Sequence, residues 1–106
     1  MHPTAPAHDF LRFLDSPEGA GMRSGFLLRK LRRGEALCGP GSPRDEVLLV
    51  RRGRVRVHTT DGRRELTLMF LEPGDVFSTH TGATLTAAGA VELLAMPTRH
   101  FAQALE

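Results

Sequence analysis

Short apolar runs alternate with turn signals from Phe26 to Met96, and this rhythm limits the fold more than any other feature of the chain. Pairs containing glycine or proline separate the runs at intervals of roughly eight to twelve residues, a spacing typical of antiparallel sandwiches and barrels. The sequence therefore predicts a mainly β domain, a double-stranded β-helix of the jelly-roll or cupin-like kind. Strands are expected in the runs Phe26–Leu31, Ala36–Cys38, Val47–Val50, Val55–Thr59, Leu66–Leu71, Leu85–Ala88 and Val91–Met96.

A chain of 106 residues forms one domain around one core. Residues 1–25 read as an arm followed by short helices, in which Ser16 caps a helix whose first position is Pro17. Residues 26–96 form the β-roll. Residues 97–106 begin a C-terminal helix, which we expect to continue in a longer protein.

The C-terminal helix is predicted to begin at Thr98, whose hydroxyl is suited to capping it. Phe101 and Leu105 are four residues apart and would share one helical face. Two turns of helix are marginal by themselves, so this helix must pack on the roll or extend further.

Composition excludes several classes of protein. Hydrophobic residues make up 41% and charged residues 25% of the chain, as in a globular protein. No apolar run approaches the roughly 18 residues of a membrane span, and the N-terminus lacks the apolar segment of a signal peptide. Cys38 is the sole cysteine, which excludes an internal disulfide and a multi-thiolate zinc site. A single thiol also indicates a reducing compartment, so we expect a cytoplasmic protein.

Charge is distributed unevenly along the chain. Residues 29–64 carry eleven Lys or Arg against four Asp or Glu, whereas the rest carries three against eight. Two interpretations stay open: a surface for nucleic acid or an acidic partner, or arginines at solvent-facing strand positions. We favour the second.

One hairpin can be written in register from its turn. Asp61-Gly62 is a two-residue turn signal of the type I′ kind, which predicts His58 opposite Glu65 as a surface cross-strand pair. On this register one face is apolar and the other polar. The apolar face carries Val55, Val57, Leu66 and Leu68, and the polar face carries Arg54, Arg56, His58, Glu65 and Thr67.

A distinctive segment reads Pro73-Gly74-Asp75-Val76-Phe77-Ser78-Thr79-His80-Thr81-Gly82-Ala83. Its Pro-Gly turn precedes an apolar pair, so we expect a short strand that delivers one imidazole, that of His80, into a small β-fold. Neutral imidazole is a common ligand of metals and of haem iron. Three interpretations stay open for His80: a haem-iron ligand, a contact to a different small ligand, and a structural histidine held by backbone groups.

Other candidate residues are weaker. His100 lies on the predicted C-terminal helix, while His2 and His8 lie in the arm. Cys38 is either a small buried hydrophobe or a redox-sensitive thiol. The chain has no Ser-His-Asp order, no glycine-rich phosphate loop and no paired carboxylates in a pocket signature. A cupin-type metal site needs further histidines beside His80, so we predict that the chain is not an enzyme.

Three stretches resemble the effector domain of the Crp/Fnr family of bacterial transcription regulators. They are Arg33-Gly34-Glu35, the strand pair from Val47 to Val57 with its central Gly53, and Glu72-Pro73-Gly74-Asp75-Val76-Phe77. The likeness covers roughly residues 26 to 106. It implies a β-roll that binds an effector in a homodimeric regulator, whose DNA contacts come from a helix-turn-helix domain absent from this chain.

The cyclic-nucleotide branch of that family continues this turn with Gly-Glu, which holds the ribose, and later with Arg-Ser or Arg-Ala, which holds the phosphate. Here no glutamate follows Phe77 until Glu92, and no arginine follows until Arg99. A buried phosphate without a cation or a helix N-terminus would be poorly stabilised. Cyclic-nucleotide binding is therefore not the expected function.

The segment is instead similar to the CooA branch, the haem-containing carbon monoxide sensors of the family. In that branch a Cys-x-His-[Ser/Thr] tract follows the same turn, and its histidine is an axial haem ligand in the reduced protein. The resemblance implies that His80 ligates haem iron and that Phe77, Ser78 and Thr79 belong to the haem site. Ser78 occupies the position of the cysteine that ligates iron in the oxidised protein, so a thiolate switch there is absent.

The second axial ligand of that branch is an N-terminal proline amine from the partner subunit. This chain begins Met1-His2-Pro3, which leaves His2 or the terminal amine as substitutes. The resemblance thus implies a sensor of carbon monoxide or of another gas or redox signal. The alternatives are a non-haem module for another small ligand or a cyclic-nucleotide-like ligand, and a protein-interaction domain. The haem prediction expects the imidazole of His80 to point inward, into a cavity of the roll.

Overall fold

The computed structural model describes residues 10–39 and 45–105 of the chain. Within these ranges the protein is mainly β, with eight strands in two four-stranded antiparallel sheets, which confirms the predicted β-roll. The strands are β1 (Leu27–Leu31), β2 (Ala36–Cys38), β3 (Glu46–Arg52), β4 (Val55–Asp61), β5 (Arg64–Leu71), β6 (Val76–Ser78), β7 (Thr84–Ala87) and β8 (Val91–Pro97).

Strand order alternates between distant parts of the chain, as a jelly roll requires. Sheet one has the order β1-β8-β3-β6, and sheet two has the order β2-β7-β4-β5. Each apolar run singled out in the sequence forms a strand, and the pair Val76-Phe77 begins the short strand β6 as predicted. The strands β5 and β6 are consecutive in the chain and lie at one edge of their respective sheets.

Short helices flank the roll. Residues 10–14 form helix α1, a 3₁₀ turn spans Pro17–Gly19, and α2 spans Ala20–Arg23. Ser16 caps the 3₁₀ turn as the sequence predicts. Helix α3 spans Thr98–Ala104. The predicted arm, with both of its histidines, lies outside the described residues.

Sheet one is buried on both faces, which explains the continuous apolar runs of its central strands β3 and β8. Leu48 and Leu93 point into the core between the sheets. Leu49 and Leu94 belong to a second cluster on the opposite face, with side chains from the flanking helices and the start of β1. Full burial of such a side chain stabilises the fold by roughly 1.5–3 kcal/mol. The members of the second cluster outside the strands are Phe10, Leu11, Leu14, Met22, Phe26 and Phe101.

Sheet two is buried on its inner face only. Val55 and Val57 of β4 are buried in the core, while Arg56 between them is partly exposed. Seven of the eight residues of β5 are exposed, and only Leu71 is buried. The sheet therefore leaves an edge strand and an outer face accessible.

The register of the β4–β5 hairpin differs from the prediction. Its turn is centred on Gly62-Arg63, with Asp61 paired to Arg64, because Gly62 has φ 64° while no other residue in the described part of the hairpin has positive φ. Glycine at the first central position is typical of a type II′ turn, in place of the predicted I′. His58 consequently lies opposite Thr67 rather than Glu65.

A bulge changes the predicted faces of the same hairpin. Val57 pairs with Met69 while His58 pairs with Thr67, so Leu68 has no partner across the ladder. Leu66 and Leu68, predicted to be buried with Val55 and Val57, are 48% and 59% exposed. The predicted burial of these two leucines is therefore wrong. Leu68 is the bulged residue, which a turn signal cannot reveal, and Leu66 lies between the bulge and the turn, where it pairs with Thr59 on an edge strand.

Helix α3 begins at Thr98, but its capping differs from the prediction. Pro97 occupies the N-cap position, and the side chain of Thr98 does not cap the helix. Thr98 Oγ1 instead donates to Asp45 Oδ1 at 2.7 Å, and its amide donates to the Asp45 carbonyl at 3.0 Å. These bonds fix the helix start to the beginning of β3.

Candidate functional site

A tight turn and a short strand position the candidate histidine. In the turn Glu72–Asp75, the Asp75 carboxylate accepts the Glu72 amide at 2.7 Å, and Gly74 has φ 97°, which glycine adopts without strain. Strand β6 then pairs with β3, and the chain leaves the sheet in the 3₁₀ turn Thr79–Thr81. We call Thr79–Thr81 the histidine turn.

Three of the four predicted haem-site residues have structural roles. The hydroxyl of Ser78 caps the histidine turn by accepting the His80 amide at 3.1 Å. Thr79 is 6% exposed, and its hydroxyl accepts the amide of Glu46 at 2.9 Å. Phe77 is partly buried and packs against the main core. Their contacts hold the turn in place and leave His80 as the open group.

The imidazole of His80 does not point into the roll, and this prediction is wrong. Its side chain is 84% exposed because the histidine turn has already left the edge of sheet one. Nδ1 lies 3.9 Å from Asp45 Oδ2, a separation at which a protonated ring would form an ion pair. The described residues provide no hydrogen-bond partner for Nε2.

Asp45 connects the histidine turn to helix α3. One carboxylate oxygen faces His80 and the other accepts from Thr98. A shallow cavity of about 290 Å³ lies beside it, lined by Asp45, Pro97, Thr98 and Arg99. The imidazole borders this cavity through Asp45 but is not part of its lining.

A row of exposed apolar side chains lies on β5. Leu66, Leu68, Met69 and Phe70 are 48%, 59%, 47% and 37% exposed. We call these four residues the apolar strip. Val76 on β6, the next strand along the chain, is also 43% exposed. The sequence analysis missed this surface because it assigned Leu66 and Leu68 to the core.

His58 is buried rather than on the surface, where the sequence placed it. The residue is 5% exposed, and its Nε2 is hydrogen-bonded to Thr86 Oγ1 at 2.9 Å. Nδ1 is buried, and the described residues offer it no hydrogen-bond partner. Glu65 Oε1 lies 4.0 Å from Nδ1.

Cys38 lies next to Ala83, the last residue of the segment Pro73–Ala83 that contains His80. Its Sγ is 4.0 Å from the Ala83 carbonyl, and the side chain packs against the main core. Burial raises the pKa of the Cys38 thiol; a backbone hydrogen bond at Leu85 lowers it, and the charge of Glu46 raises it further. These contacts favour the buried-hydrophobe interpretation over the reactive thiol.

Five arginines of the basic middle section form ion pairs with neighbouring carboxylates. Arginines on β1, β3 and β4 and in the connecting turns form ion pairs with glutamates, and several of these arginines are well exposed. This agrees with solvent-facing strand positions rather than a nucleic-acid surface. The pairs are Arg29–Glu46, Arg51–Glu92, Arg52–Glu92, Arg54–Glu72 and Arg56–Glu65.

Across residues 10–39 and 45–105, no group of three or more His, Cys, Asp or Glu side chains is placed to hold a metal ion. In the same ranges no helix is long and apolar enough to cross a membrane.

Comparison with known proteins gives a consistent family. Residues 28–106 match the family described as cyclic nucleotide-binding domain. No curated protein sequence matches the chain significantly. Among solved structures, a CooA mutant from Carboxydothermus hydrogenoformans is 35% identical with a TM-score of 0.85, over 88% of this chain and 63% of that one.

Two other solved structures are also similar to this chain. The heme domain of CooA from Rhodospirillum rubrum is 30% identical with a TM-score of 0.81, over 91% of this chain and 73% of that one. The Thermus thermophilus catabolite activator protein is 27% identical with a TM-score of 0.70, over 83% of this chain and 46% of that one. The chain spans less than two thirds of the CooA mutant and about half of the activator.

Proposed function

Because the chain belongs to the cyclic nucleotide-binding domain family, in the CooA-like branch of the Crp/Fnr regulators, we propose that it senses an effector through haem bound by His80. The signal is carbon monoxide or another gas or redox change. One observation carries the proposal: an exposed imidazole faces a carboxylate through Nδ1 and keeps Nε2 accessible.

The donor set at the histidine turn fits haem better than a bare ion. A zinc or copper ion needs three or four protein ligands, and the described residues hold no such group. Haem iron already has the porphyrin nitrogens and takes one or two axial protein ligands. A single open imidazole is therefore enough on one side. When bound, haem would supply the iron site at which a diatomic gas or an electron is received.

Asp45 would prepare His80 for this role. A metal-bound histidine usually donates its other ring N–H to a carboxylate, which fixes the tautomer and raises the basicity of the ligand nitrogen. Asp45 Oδ2 lies 3.9 Å from Nδ1, and a small rotation of the ring brings the two within hydrogen-bond distance. His80 would then hold its proton on Nδ1 and present Nε2 to the iron.

The apolar strip offers exposed apolar contacts to a porphyrin at the edge strand β5, where side chains of both sheet faces, such as Met69 and Phe70, reach solvent. Its four side chains are between 37% and 59% exposed, although free apolar surface of this kind is unfavourable in water. Covering ~100 Å² of it would stabilise the complex by roughly 2.5 kcal/mol. Because the imidazole of His80 is exposed, haem would lie outside the roll and not within it.

A cyclic nucleotide is less well supported. Its phosphate requires a cation in the segment after β6, where this chain has Ser78, Thr79 and Thr81 but no arginine. Arg54, near this edge, is held by Glu72 at 3.0 Å and stacks over Phe70 at 4.1 Å. Neither arrangement leaves a free guanidinium for a buried phosphate.

The rest of the proposal concerns the longer protein. The likeness to Crp/Fnr regulators supports a regulatory, non-enzymatic role in the cytoplasm, with a homodimer as the working unit. In a full-length regulator of this family, DNA would be contacted through a helix-turn-helix domain. Helix α3 would transmit a movement of the histidine turn toward that domain, because Asp45 is hydrogen-bonded to Thr98, the first residue of the helix.

Haemin titration followed by absorption spectroscopy tests the haem assignment. The unaltered chain should give a Soret band that saturates at one haem per chain. His80→Ala should weaken binding at least about a hundredfold, a loss of ~2.7 kcal/mol. His100→Ala, which removes another exposed histidine from α3, is the matched control and should bind haemin normally.

Two results would contradict the haem assignment. A chain that stays colourless with excess haemin would favour a different small ligand or a protein partner at the same surface. Equal binding by His80→Ala and the unaltered chain would mean that haemin attaches elsewhere.

A further inference from the structure

A polar network on the outer face of sheet two contains a titratable group that the proposed haem site does not use. Arg56 donates to Glu65 Oε1 at 2.9 Å and to Thr67 Oγ1 at 3.2 Å. His58 bonds Thr86 Oγ1 through Nε2, and its Nδ1 faces the same Glu65 oxygen at 4.0 Å. The network joins three adjacent strands, β7, β4 and β5.

The neutral imidazole of His58 cannot satisfy both ring nitrogens in this arrangement. If Nε2 carries the proton, Nδ1 is a buried lone pair without a donor. If Nδ1 carries it, a buried N–H lacks an acceptor within bonding distance. An unsatisfied buried polar atom costs about 1–3 kcal/mol. At 4.0 Å the doubly protonated ring does not yet bond Glu65 either, but its positive charge attracts that carboxylate toward Nδ1–H while Nε2–H donates to Thr86. A neutral ring exerts no comparable attraction.

We propose that His58 and Glu65 form a proton-operated switch, in which uptake of a proton by His58 draws Glu65 onto Nδ1 and fastens β5 to β4. A carboxylate accepts several hydrogen bonds, so Glu65 can reach His58 without releasing Arg56. A shift of about 1 Å brings the 4.0 Å gap to the usual N–H···O length.

The charges around His58 decide the direction of the switch. Glu65 on β5 favours the charged ring, whereas Arg56 on β4 opposes it. On β7 the described neighbours Thr84 and Thr86 are uncharged. On β2, Cys38 faces the core instead. Glu65 is therefore the group on which the response to acid depends.

The switch acts beside an interruption of the β4–β5 ladder. The bulge at Leu68 lies directly beside His58 and leaves one residue of β5 unpaired. A ladder interrupted in this way relies more on side-chain links across the strands. Strand β5 also carries the apolar strip, so protonation of His58 would stiffen that surface. This inference does not depend on haem, because its test uses the chain without any ligand.

Amide hydrogen exchange of β4 and β5 at pH 5.5 and 7.5, corrected for intrinsic rates, tests the switch. In the unaltered chain, exchange of the hairpin should be about fivefold slower at pH 5.5, of the order expected for one partly exposed ion pair. Glu65→Gln should abolish this difference. Glu72→Gln is the matched control. Glu72 is as exposed as Glu65, 55% against 57%, and it also pairs with an arginine, Arg54 at 3.0 Å. Among the described residues, however, no histidine forms an ion pair with Glu72.

The Nδ1 proton of His58 gives a second readout on the same samples. A slowly exchanging Nδ1–H resonance should be present at pH 5.5 in the unaltered chain and in Glu72→Gln, and absent in Glu65→Gln. The proposal is overturned if Glu65→Gln keeps the pH-dependent protection, or if the hairpin of the unaltered chain exchanges equally or faster at pH 5.5.

Discussion

His58 and His80 occupy opposite surroundings within one small roll. His58 is 5% exposed on the outer face of sheet two, whereas the side chain of His80 is 84% exposed on the histidine turn. Each ring has a carboxylate near Nδ1, Glu65 at 4.0 Å and Asp45 at 3.9 Å. They differ in the other nitrogen: Nε2 of His58 is bonded to Thr86, and Nε2 of His80 is accessible.

This difference separates two functions of the same side chain. An imidazole with Nε2 occupied by a hydroxyl can respond to protons but cannot ligate a large cofactor. An imidazole with Nε2 in solvent can ligate iron, and its neighbouring carboxylate then sets the tautomer. The environment of Nε2, rather than the presence of a nearby acid, assigns the roles.

Haem affinity should separate the two histidines most strongly. His80→Ala should lose at least about a hundredfold in haemin affinity, ~2.7 kcal/mol, while His58→Leu should lose less than about threefold. Absorbance titration of both variants measures the ratio. A larger loss in His58→Leu than in His80→Ala would reverse the assignment.

Stability should show the opposite order. His58→Ala removes a buried ring and the bond to Thr86, and should cost about 2 kcal/mol of unfolding free energy. His80→Ala should change it by less than about 0.5 kcal/mol, since the side chain is exposed. Urea denaturation provides both values. His58→Leu should cost less than His58→Ala, because it fills the space without an unsatisfied Nδ1.

The apolar strip can be tested against another exposed edge. Leu68→Lys should lower haemin affinity about tenfold, ~1.4 kcal/mol, because it places a charge on the proposed porphyrin surface. Leu27→Lys, on the edge strand β1 and 68% exposed, is the matched control and should bind haemin normally. Equal losses in both variants would indicate a general effect of charge.

The thiol of Cys38 should give the smallest effect. Burial raises its pKa above the ordinary value of 9.0, so the folded chain holds the thiol proton where the unfolded chain releases it. The resulting stability is present below about pH 9 and is lost as pH rises through the folded pKa. The rate of reaction with a disulfide reagent at pH 8 should be at least about tenfold below that of the unfolded chain. Fast reaction would show that the contact with Ala83 opens readily.

The strand pattern could be predicted because it depends on local chemistry. Apolar runs and turn residues located each strand, including the short β6 that precedes His80. The helical cap at Ser16 was predicted for the same reason. Thr98 was not, because its hydroxyl bonds Asp45, which is 53 residues away in sequence.

The exposure of His58 and His80 could not be predicted, because it depends on backbone features that the alternation of apolar and polar residues does not encode. A turn centred one residue later than predicted, together with the bulge at Leu68, changed the neighbours of His58. The 3₁₀ turn carried His80 off the sheet, so its side chain no longer followed the in-and-out pattern of a strand. Both errors arose where the backbone leaves regular geometry, and both changed a functional interpretation.

The most direct test of the central claim observes the imidazole nitrogens themselves. In ¹⁵N-histidine-labelled protein loaded with ferrous haem and carbon monoxide, which is diamagnetic, Nε2 of His80 should shift strongly while both nitrogens of His58 stay at their positions in the haem-free chain. A shift at His58, or an unchanged Nε2 at His80 in a fully loaded sample, would contradict the account.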